Sequence, residues 1–401
     1  MKLYDVIVVG SGPAGSYVAY RLAEMGHRVV VVEQKERLGE QVCCTGIISQ
    51  GCVDSFAIDE DVILRRANSA KLFSPSGRLL RVWRQKTQAC IIDRALFDVA
   101  MARRAQNKGA EYVLSSLVRG IEVNDDRVRV EIVRRGGKLN FEARAVVIAT
   151  GFASNLARGL GLGKVGDFVM GAQAEVEAIG LDEVEVYLGR EVTPGFFAWL
   201  VPTSPPKALV GLMSRRSPEI YLKKLIASLV AQGKIASAEA EPIYRGISLK
   251  PLAKTCGNRL IVVGDAAGQV KPTTGGGIYY GLLCADIAAN NLHRALESDD
   301  LSAKSLAGYE REWRKKLGWE LRIGYWARKL YEHMSDAQTD RLFDIIKSRG
   351  IDKALLEAED LSFDWHGEVV LRLLRRRLIS NAIGVVKIPL RLVRRGRRTR
   401  L

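Results

Sequence analysis

Three groups of residues in this sequence have types and spacings that could do chemistry. The first is Gly10-Ser11-Gly12-Pro13-Ala14-Gly15, followed further on by Glu33. Gly10 permits a tight turn, Gly12 lets backbone approach a pyrophosphate, and Gly15 allows a helix to pack close on a strand. A helix opening at Pro13 and Ala14 would turn free N–H groups and a positive dipole toward phosphates. Glu33 would accept a hydrogen bond from a ribose hydroxyl. Together these residues point to dinucleotide binding, and the motif alone does not separate FAD from NAD.

The second group is Asp265 with Gly275, Gly276, Gly277 and Ile278. An acid at a strand end can hydrogen-bond a ribityl hydroxyl. The glycines would bring a helix N-terminus against a flat ligand, where its positive end stabilises negative charge on a reduced flavin. Arg94, at the start of a helix, could reach a pyrophosphate as a planar bidentate donor. Val118, at the end of the strand after that helix, would offer backbone atoms to an adenine. The third group is aromatic. Phe196, Phe197 and Trp199 lie between Pro194 and Pro202, in a chain that is 7% aromatic. The alternation there is also what a half-buried strand shows.

Elements must position these residues. Val6 to Val9 reads as a buried parallel strand, Tyr17 to Met25 as an amphipathic helix, and His27 to Glu33 as a second strand. Leu260 to Val263 reads as another strand, ahead of a small-residue helix from Ile278 to about Leu292. The helix after Arg94 is expected to end near Gly109, and the next strand about Val118. The segment around Ser74–Gly77 reads as a hairpin turn, and the stretches 171–189 and 195–213 as further antiparallel strands. The fold class is therefore α/β. A Rossmann-like FAD-binding domain (1–66, 91–168 and 252–300) is interleaved with an antiparallel-sheet substrate domain (67–90 and 169–251). A C-terminal helical region (301–365) and a basic amphipathic tail (366–401) follow. Trp313, Trp319 and Trp326, at near-helical spacing, are expected to pack against the FAD domain.

Bulk properties narrow the function classes. With 47% hydrophobic residues the chain can bury a sizeable core, so disorder is excluded. The start shows no charged region followed by a cleavage site. No stretch approaches the roughly 18 uninterrupted apolar residues of a spanning helix. Six scattered cysteines suit a reducing compartment, so a cytoplasmic protein is expected. Neither the cysteines nor the four histidines are spaced as metal ligands in the sequence, and no metal is expected.

The glycine turn with Glu33, the segment from Gly264 to Gly277, and the strand ending at Thr150-Gly151 together resemble the FAD domain of the flavoprotein superfamily that includes para-hydroxybenzoate hydroxylase. Thr150 stands where those hydroxylases usually carry an acid. Two further stretches resemble the geranylgeranyl reductases, FAD enzymes that saturate isoprenoid chains. Cys44-Thr45-Gly46 fits a Cys-x-Gly segment lying against the flavin in relatives, with Cys43 an additional thiol. Pro194, Phe197, Trp199 and Pro202 match Pro-x-x-Tyr/Phe-x-Trp-x-Phe-Pro, with Val201 in place of a further aromatic. The resemblance implies FAD as cofactor. It implies cofactor contacts from Cys44, Thr45 and Ile47 beside the groups above, and substrate contacts from Phe197, Trp199 and Pro202. Cys44 would position the chain or assist proton delivery. The substrate would be a polyprenyl lipid, foremost a geranylgeranylated ether phospholipid or its precursor. An external donor (NAD(P)H, ferredoxin or a deazaflavin) would reduce the flavin.

The net charge is +16, and ten of those charges lie in 366–401, where eleven Lys/Arg face one acid, Glu368. A basic amphipathic segment reads as lying on an anionic membrane surface, which makes the protein peripherally membrane-associated. RNA is the rival partner, because basic runs bind phosphate; against it, the tail lacks interleaved aromatics for base stacking. The rival chemistry is a monooxygenase or halogenase acting on an apolar substrate.

Overall fold

The computed structural model describes residues 3–152, 155–348, 363–365 and 367. The basic tail expected to meet a membrane thus lies almost wholly outside the described residues. Two compact units emerge. The first comprises Met1–Leu64, Cys90–Val169 and Ile243–Gly318, and the second Arg65–Ala89, Met170–Pro242 and Trp319–Leu401.

The first unit is built on a sheet in the order Leu260–Val262, Gly137–Ile148, Leu3–Val9, Val29–Val32, Glu111–Val113, with every pair parallel. Parallel strands are covered on both faces and so read as continuous apolar runs; Val6 to Val9 and Val29 to Val32 are all buried. Register sets Val9 beside both Val32 and Ile148. The strand ends are therefore level, and the loops leaving them share one edge. Such an edge is where open α/β sheets bind ligands. Helix Pro13–Glu24 packs on this sheet, and helices Arg94–Gln106 and Ile278–Glu297 pack against that helix. The first and third are tied by an Arg21–Asp286 ion pair.

Several boundaries differ from expectation; the helix from Ile278, expected to end about Leu292, runs on to Glu297. The helix from Arg94 ends at Gln106, and Gly109, at φ +98°, completes the turn beyond it. The strand expected to run to Val118 stops at Val113. The chain then turns through Ser115, at φ +52°, and Val118 lies inside the next strand, Leu117–Val123, paired antiparallel with Val128–Arg134. Its side chain joins the core of the first unit.

In the second unit the strands run in the order Phe168–Glu177, Lys207–Ser214, Phe197–Pro202, Val184–Leu188, Ser69–Phe73, Leu79–Trp83. The last two form the expected hairpin. One pairing departs from an all-antiparallel sheet: Ser69–Phe73 runs parallel to Val184–Leu188. Helix Pro218–Ala231 covers one face, burying Ala172, Ala174, Ala198, Leu200, Val210 and Leu212 against Leu222, Leu225 and Leu229. The long helix Ala303–His333 is divided between the units at Gly318. Its tryptophans do not act alike. Trp313 is fully buried in the first unit, its indole N–H on Thr255 Oγ1 at 2.9 Å, whereas Trp326 is half exposed. Packing within the first unit thus holds for Trp313, while Trp326 belongs to the second unit. Among the described residues, no helix is long and apolar enough to cross a membrane.

Candidate active site

The first glycine turn follows Val9 directly, and its glycines are there for different steric reasons. Gly10 sits at φ +105°, where a Cβ would lie 2.5 Å from the Ala149 carbonyl oxygen. A Cβ on Gly15 would lie 2.0 Å from the Gly10 carbonyl oxygen, so the helix packs on its own turn only without a side chain. A Cβ on Gly12 would meet nothing within 4 Å. Gly12 thus faces open space, the room a pyrophosphate would take. It is the N-cap of helix Pro13–Glu24 and offers no side-chain cap, so the N–H groups of the first turn stay available to an anion. Glu33, almost fully buried at the end of its strand, pins this turn. Its Oε2 accepts from the Ser11 N–H at 2.8 Å and Ser11 Oγ at 2.9 Å, and its Oε1 from the Lys35 N–H at 3.0 Å. A carboxylate carries about four acceptor sites, so Oε1 retains capacity for a ribose hydroxyl.

The second glycine cradle leaves the strand Leu260–Val262, one strand removed from Leu3–Val9 across Gly137–Ile148. Gly264, at φ +66°, is held by a buried relay. Its N–H donates to Gln269 Oε1 (2.8 Å), Gln269 Nε2 donates to Tyr309 Oη (2.7 Å), and Tyr309 Oη donates to the Val262 carbonyl (2.8 Å). Asp265 lies over the start of helix Ile278–Glu297: a Cβ on Gly277 would fall 2.5 Å from Asp265 Oδ1. Gly275 takes φ +74°, and Ile278 opens the helix. Burial raises the Asp265 pKa, and Arg245 and Arg94 pull it back. The two cradles meet through Ala14, whose Cβ lies 3.0 Å from where a Gly264 Cβ would be and 3.7 Å from the same point on Gly281.

The cysteine segment folds onto Arg94. Gly46, at φ +68°, comes so close to strand Ala89–Ile92 that a Cβ would lie 2.3 Å from the Ile92 carbonyl oxygen and 3.3 Å from Arg94 Cγ. The Gly46 N–H reaches Cys44 Sγ at 3.4 Å. Thr45 lies between them, and Ile47 opens the strand Ile47–Ser49. The Arg94 guanidinium, expected to face a pyrophosphate, is held one helical turn along by Asp98, at 2.6 and 3.3 Å. Burial opposes its charge, but Asp98 and Cys44 outweigh that and hold its pKa above the ordinary value. Its fork is engaged by Asp98 and Cys44. Nε remains buried without a hydrogen-bond partner among the described residues, as does Thr150 Oγ1. Thr150 borders the first cradle, its Cα 3.1 Å from where a Gly10 Cβ would be. Open room at Gly12 and these two orphaned groups are what a polyoxygenated ligand such as FAD would fit.

Sequence reasoning missed Arg245. Its Nη2 lies 2.6 Å from the point a Gly151 Cβ would occupy, and its charge acts on both Asp265 and Cys43. Nothing in the stretch Ile243–Ser248 marks it, since a lone arginine in a short strand carries no spacing signal. Burial and Cys44 push the Cys43 thiol up to about 11 against Arg245, so Cys43 is protonated at neutral pH.

In the second unit, strand Phe197–Pro202 divides its side chains by parity. Ala198 and Leu200 face the core under helix Pro218–Ala231. Phe197 and Trp199 face the other way, half-buried, opposite Leu188 and Val186, with ring centroids 5.9 Å apart. Trp199 lies across the neighbouring strand: a Cβ on Gly211 would meet its ring at 2.5 Å. The Trp199 Nε1–H is buried with no partner among the described residues. Pro202 was expected to line the same wall, but the period of two places it with Ala198 and Leu200. Val201 shares the Trp199 face and is fully buried. Phe196, also buried, is fixed from behind: Arg328 stacks at 4.2 Å from its ring centre and donates to the Gly195 carbonyl, while Arg215 approaches at 5.7 Å. Burial pushes the Arg328 guanidinium down to about 10, with Tyr331 and Glu332 acting the other way.

The level strand ends, the two glycine cradles and the orphaned polar groups define a dinucleotide-type oxidoreductase fold. The family model described as "Lycopene cyclase protein" matches residues 5–346. A digeranylgeranylglycerophospholipid reductase from Methanocaldococcus jannaschii is 32% identical over 358 residues, covering 86% of this chain and 90% of the relative. The chain therefore belongs to the lycopene cyclase protein family, together with the digeranylgeranylglycerophospholipid reductases. A solved geranylgeranyl bacteriochlorophyll reductase-like protein from Thermoplasma acidophilum shares the fold, with a TM-score of 0.83 and 24% identity over 96% of this chain and 97% of that one. A halogenase solved in complex with FAD superposes at a TM-score of 0.68, with 15% identity over 94% and 91% of the two chains.

Proposed function

We propose that this protein uses FAD to saturate C=C bonds in the geranylgeranyl chains of ether phospholipids or their precursors. The observation that carries this is the pair of glycine cradles joined through Ala14, in a chain 32% identical to a digeranylgeranylglycerophospholipid reductase along nearly the whole of both.

Bound FAD would supply a hydride to one carbon of the alkene. Around it the chain's own groups divide the work. Gly12 and the first turn of helix Pro13–Glu24 receive the pyrophosphate, with Arg94 Nε and Thr150 Oγ1 as further donors. Asp265 receives a ribityl hydroxyl, and Arg245 keeps a positive charge beside it. Phe197 and Trp199 receive the isoprenoid chain. Their π faces tolerate the positive charge that develops on the substituted carbon as a proton reaches its neighbour, a charge that the hydride would then neutralise, an interaction of about 0.5 to 2 kcal/mol. Cys44, in contact with Arg94, orients the chain or conducts that proton. The tail 366–401 holds the protein to an anionic membrane, each nearby cation contributing about 1 kcal/mol. The electron donor is an external reductant.

The test is single-turnover chemistry. The FAD-loaded protein is reduced with dithionite under anaerobic conditions and mixed with a digeranylgeranyl glycerophospholipid. Flavin reoxidation with a gain of two hydrogens per double bond supports the proposal. Reoxidation only by oxygen, with an oxygen or halogen atom in the product, overturns it. For the tail, full-length and tail-deleted protein are compared for sedimentation with anionic liposomes and for tRNA binding; loss of tRNA binding alone refutes the membrane role.

A further inference from the structure

The first unit holds a second cluster of chemically capable side chains, away from the glycine cradles. His27 stands in the turn between helix Pro13–Glu24 and strand Val29–Val32, its N–H on the Leu22 carbonyl at 3.0 Å. His293 and Glu297 stand one turn apart near the end of helix Ile278–Glu297. The sequence separates the two histidines widely, so no metal-ligand spacing is visible there. The fold brings His27 Nε2 to 2.9 Å from His293 Nδ1, with the rings edge-on at 5.2 Å. Glu297 adds a carboxylate, and one ligand atom from each of the three residues lies within 4.8 Å of the others.

We infer that His27, His293 and Glu297 form a binding site for a borderline divalent transition-metal ion of the zinc type. Two imidazole nitrogens and one carboxylate are the donor set such ions take, whereas magnesium and calcium take oxygen. Zinc–nitrogen bonds of about 2.0–2.1 Å in a tetrahedral arrangement set neighbouring nitrogens about 3.4 Å apart. The imidazoles therefore need to separate by about half an ångström, exchanging a shared hydrogen bond for two metal bonds. Glu297 is exposed and free to swing in by a rotamer change. Arg144 is a cation whose charge acts on His27, and Asp5 at 3.6 Å and Asp299 at 2.7 Å already engage it. A bound ion would clip together the C-terminal ends of the two helices whose N-terminal ends form the glycine cradles.

The experiment uses untagged full-length protein, freed of metal and titrated with cobalt chloride, then with zinc chloride in competition. One equivalent of cobalt is expected at micromolar affinity. It should give ligand-field bands without the intense near-ultraviolet absorbance of thiolate ligation, a distinction that matters with six free cysteines. Zinc should displace it and raise the melting temperature. His27→Gln and His293→Gln should each abolish the stoichiometric site while keeping the metal-free melting temperature, and Glu297→Gln should weaken it about tenfold. Binding weaker than 100 µM, retention in the two histidine variants, or a thiolate spectrum each overturns the inference. Because the readout is metal binding, it stands or falls apart from the reductase proposal.

Discussion

The two glycine cradles of the first unit face each other across Ala14, yet they are built on opposite plans. The first is neutral at its centre: Gly12 opens onto empty space, and the acid beside it, Glu33, is spent mainly on holding Ser11 and the turn. The second has a charge at its centre. Asp265 lies against Gly277, burial works against its ionisation, and Arg245 and Arg94 restore part of it. The first cradle therefore depends on shape and the second on electrostatics, so substitutions in the two should fail in different ways.

The largest effect is expected at Gly15→Val. Its Cβ would start 2.0 Å from the Gly10 carbonyl, and overpacking of this kind costs about 1–3 kcal/mol before the turn itself is lost. FAD content measured after gel filtration should fall to background, with a lower melting temperature. Next is Gly277→Ala, which pushes on Asp265 Oδ1 without touching the first cradle. Flavin affinity by fluorescence titration should drop by about tenfold or more, ~1.4 kcal/mol per factor of ten, while the fold survives. If Gly277→Ala destabilises the protein as much as Gly15→Val, the contrast of plans is wrong.

Gly211→Ala addresses the second unit. The new methyl group would press on the Trp199 ring at 2.5 Å and on the Ala172 carbonyl oxygen at 2.8 Å. The expected result is unchanged FAD content and a fall of about tenfold, ~1.4 kcal/mol, in kcat/KM for the isoprenoid lipid. A parallel loss of FAD would show that the ring does not act on substrate alone.

The smallest effect is in pH dependence. Because the Asp265 pKa is raised in the folded protein, the native state keeps a proton that the unfolded chain has released. Stability therefore falls as pH climbs from the usual carboxylate value near ~3.9 through the raised one, and levels off above it. Arg245→Leu removes a cation that holds the value down, so the fall should extend to higher pH in FAD-free protein. Asp265→Asn should remove this component. Melting temperatures from about pH 4 to pH 8 read both, and identical profiles for wild type and Arg245→Leu would mean that Arg245 does not act on Asp265.

The sequence made legible what sterics dictate. Gly10 and Gly15 are required by contacts within a few residues of themselves or with the adjacent strand, so their spacing announces them. The apolar runs announce a buried parallel sheet for the same reason. What stayed hidden depends on which side chain reaches a shared partner. Arg94 lies at the expected helix start, but Asp98, one turn along, takes its guanidinium. Arg245 joins Asp265 only through the fold. Pro202 sits inside a matched motif, yet parity assigns it to the other face of its strand. His27 and His293 become neighbours only when two helix ends meet.

The relay from the Gly264 N–H through Gln269 and Tyr309 to the Val262 carbonyl carries a consequence for timing. Its last member, Tyr309, sits in the long helix Ala303–His333, far along the chain from the first glycine turn. On a ribosome, Gly10 to Gly15 emerge well before Tyr309, and the strand end at Val262 cannot be locked until the 294 residues that follow Gly15 up to Tyr309 have been made. The two cradles are thus begun early and finished late. Throughout that interval the nascent chain carries that edge of the sheet open.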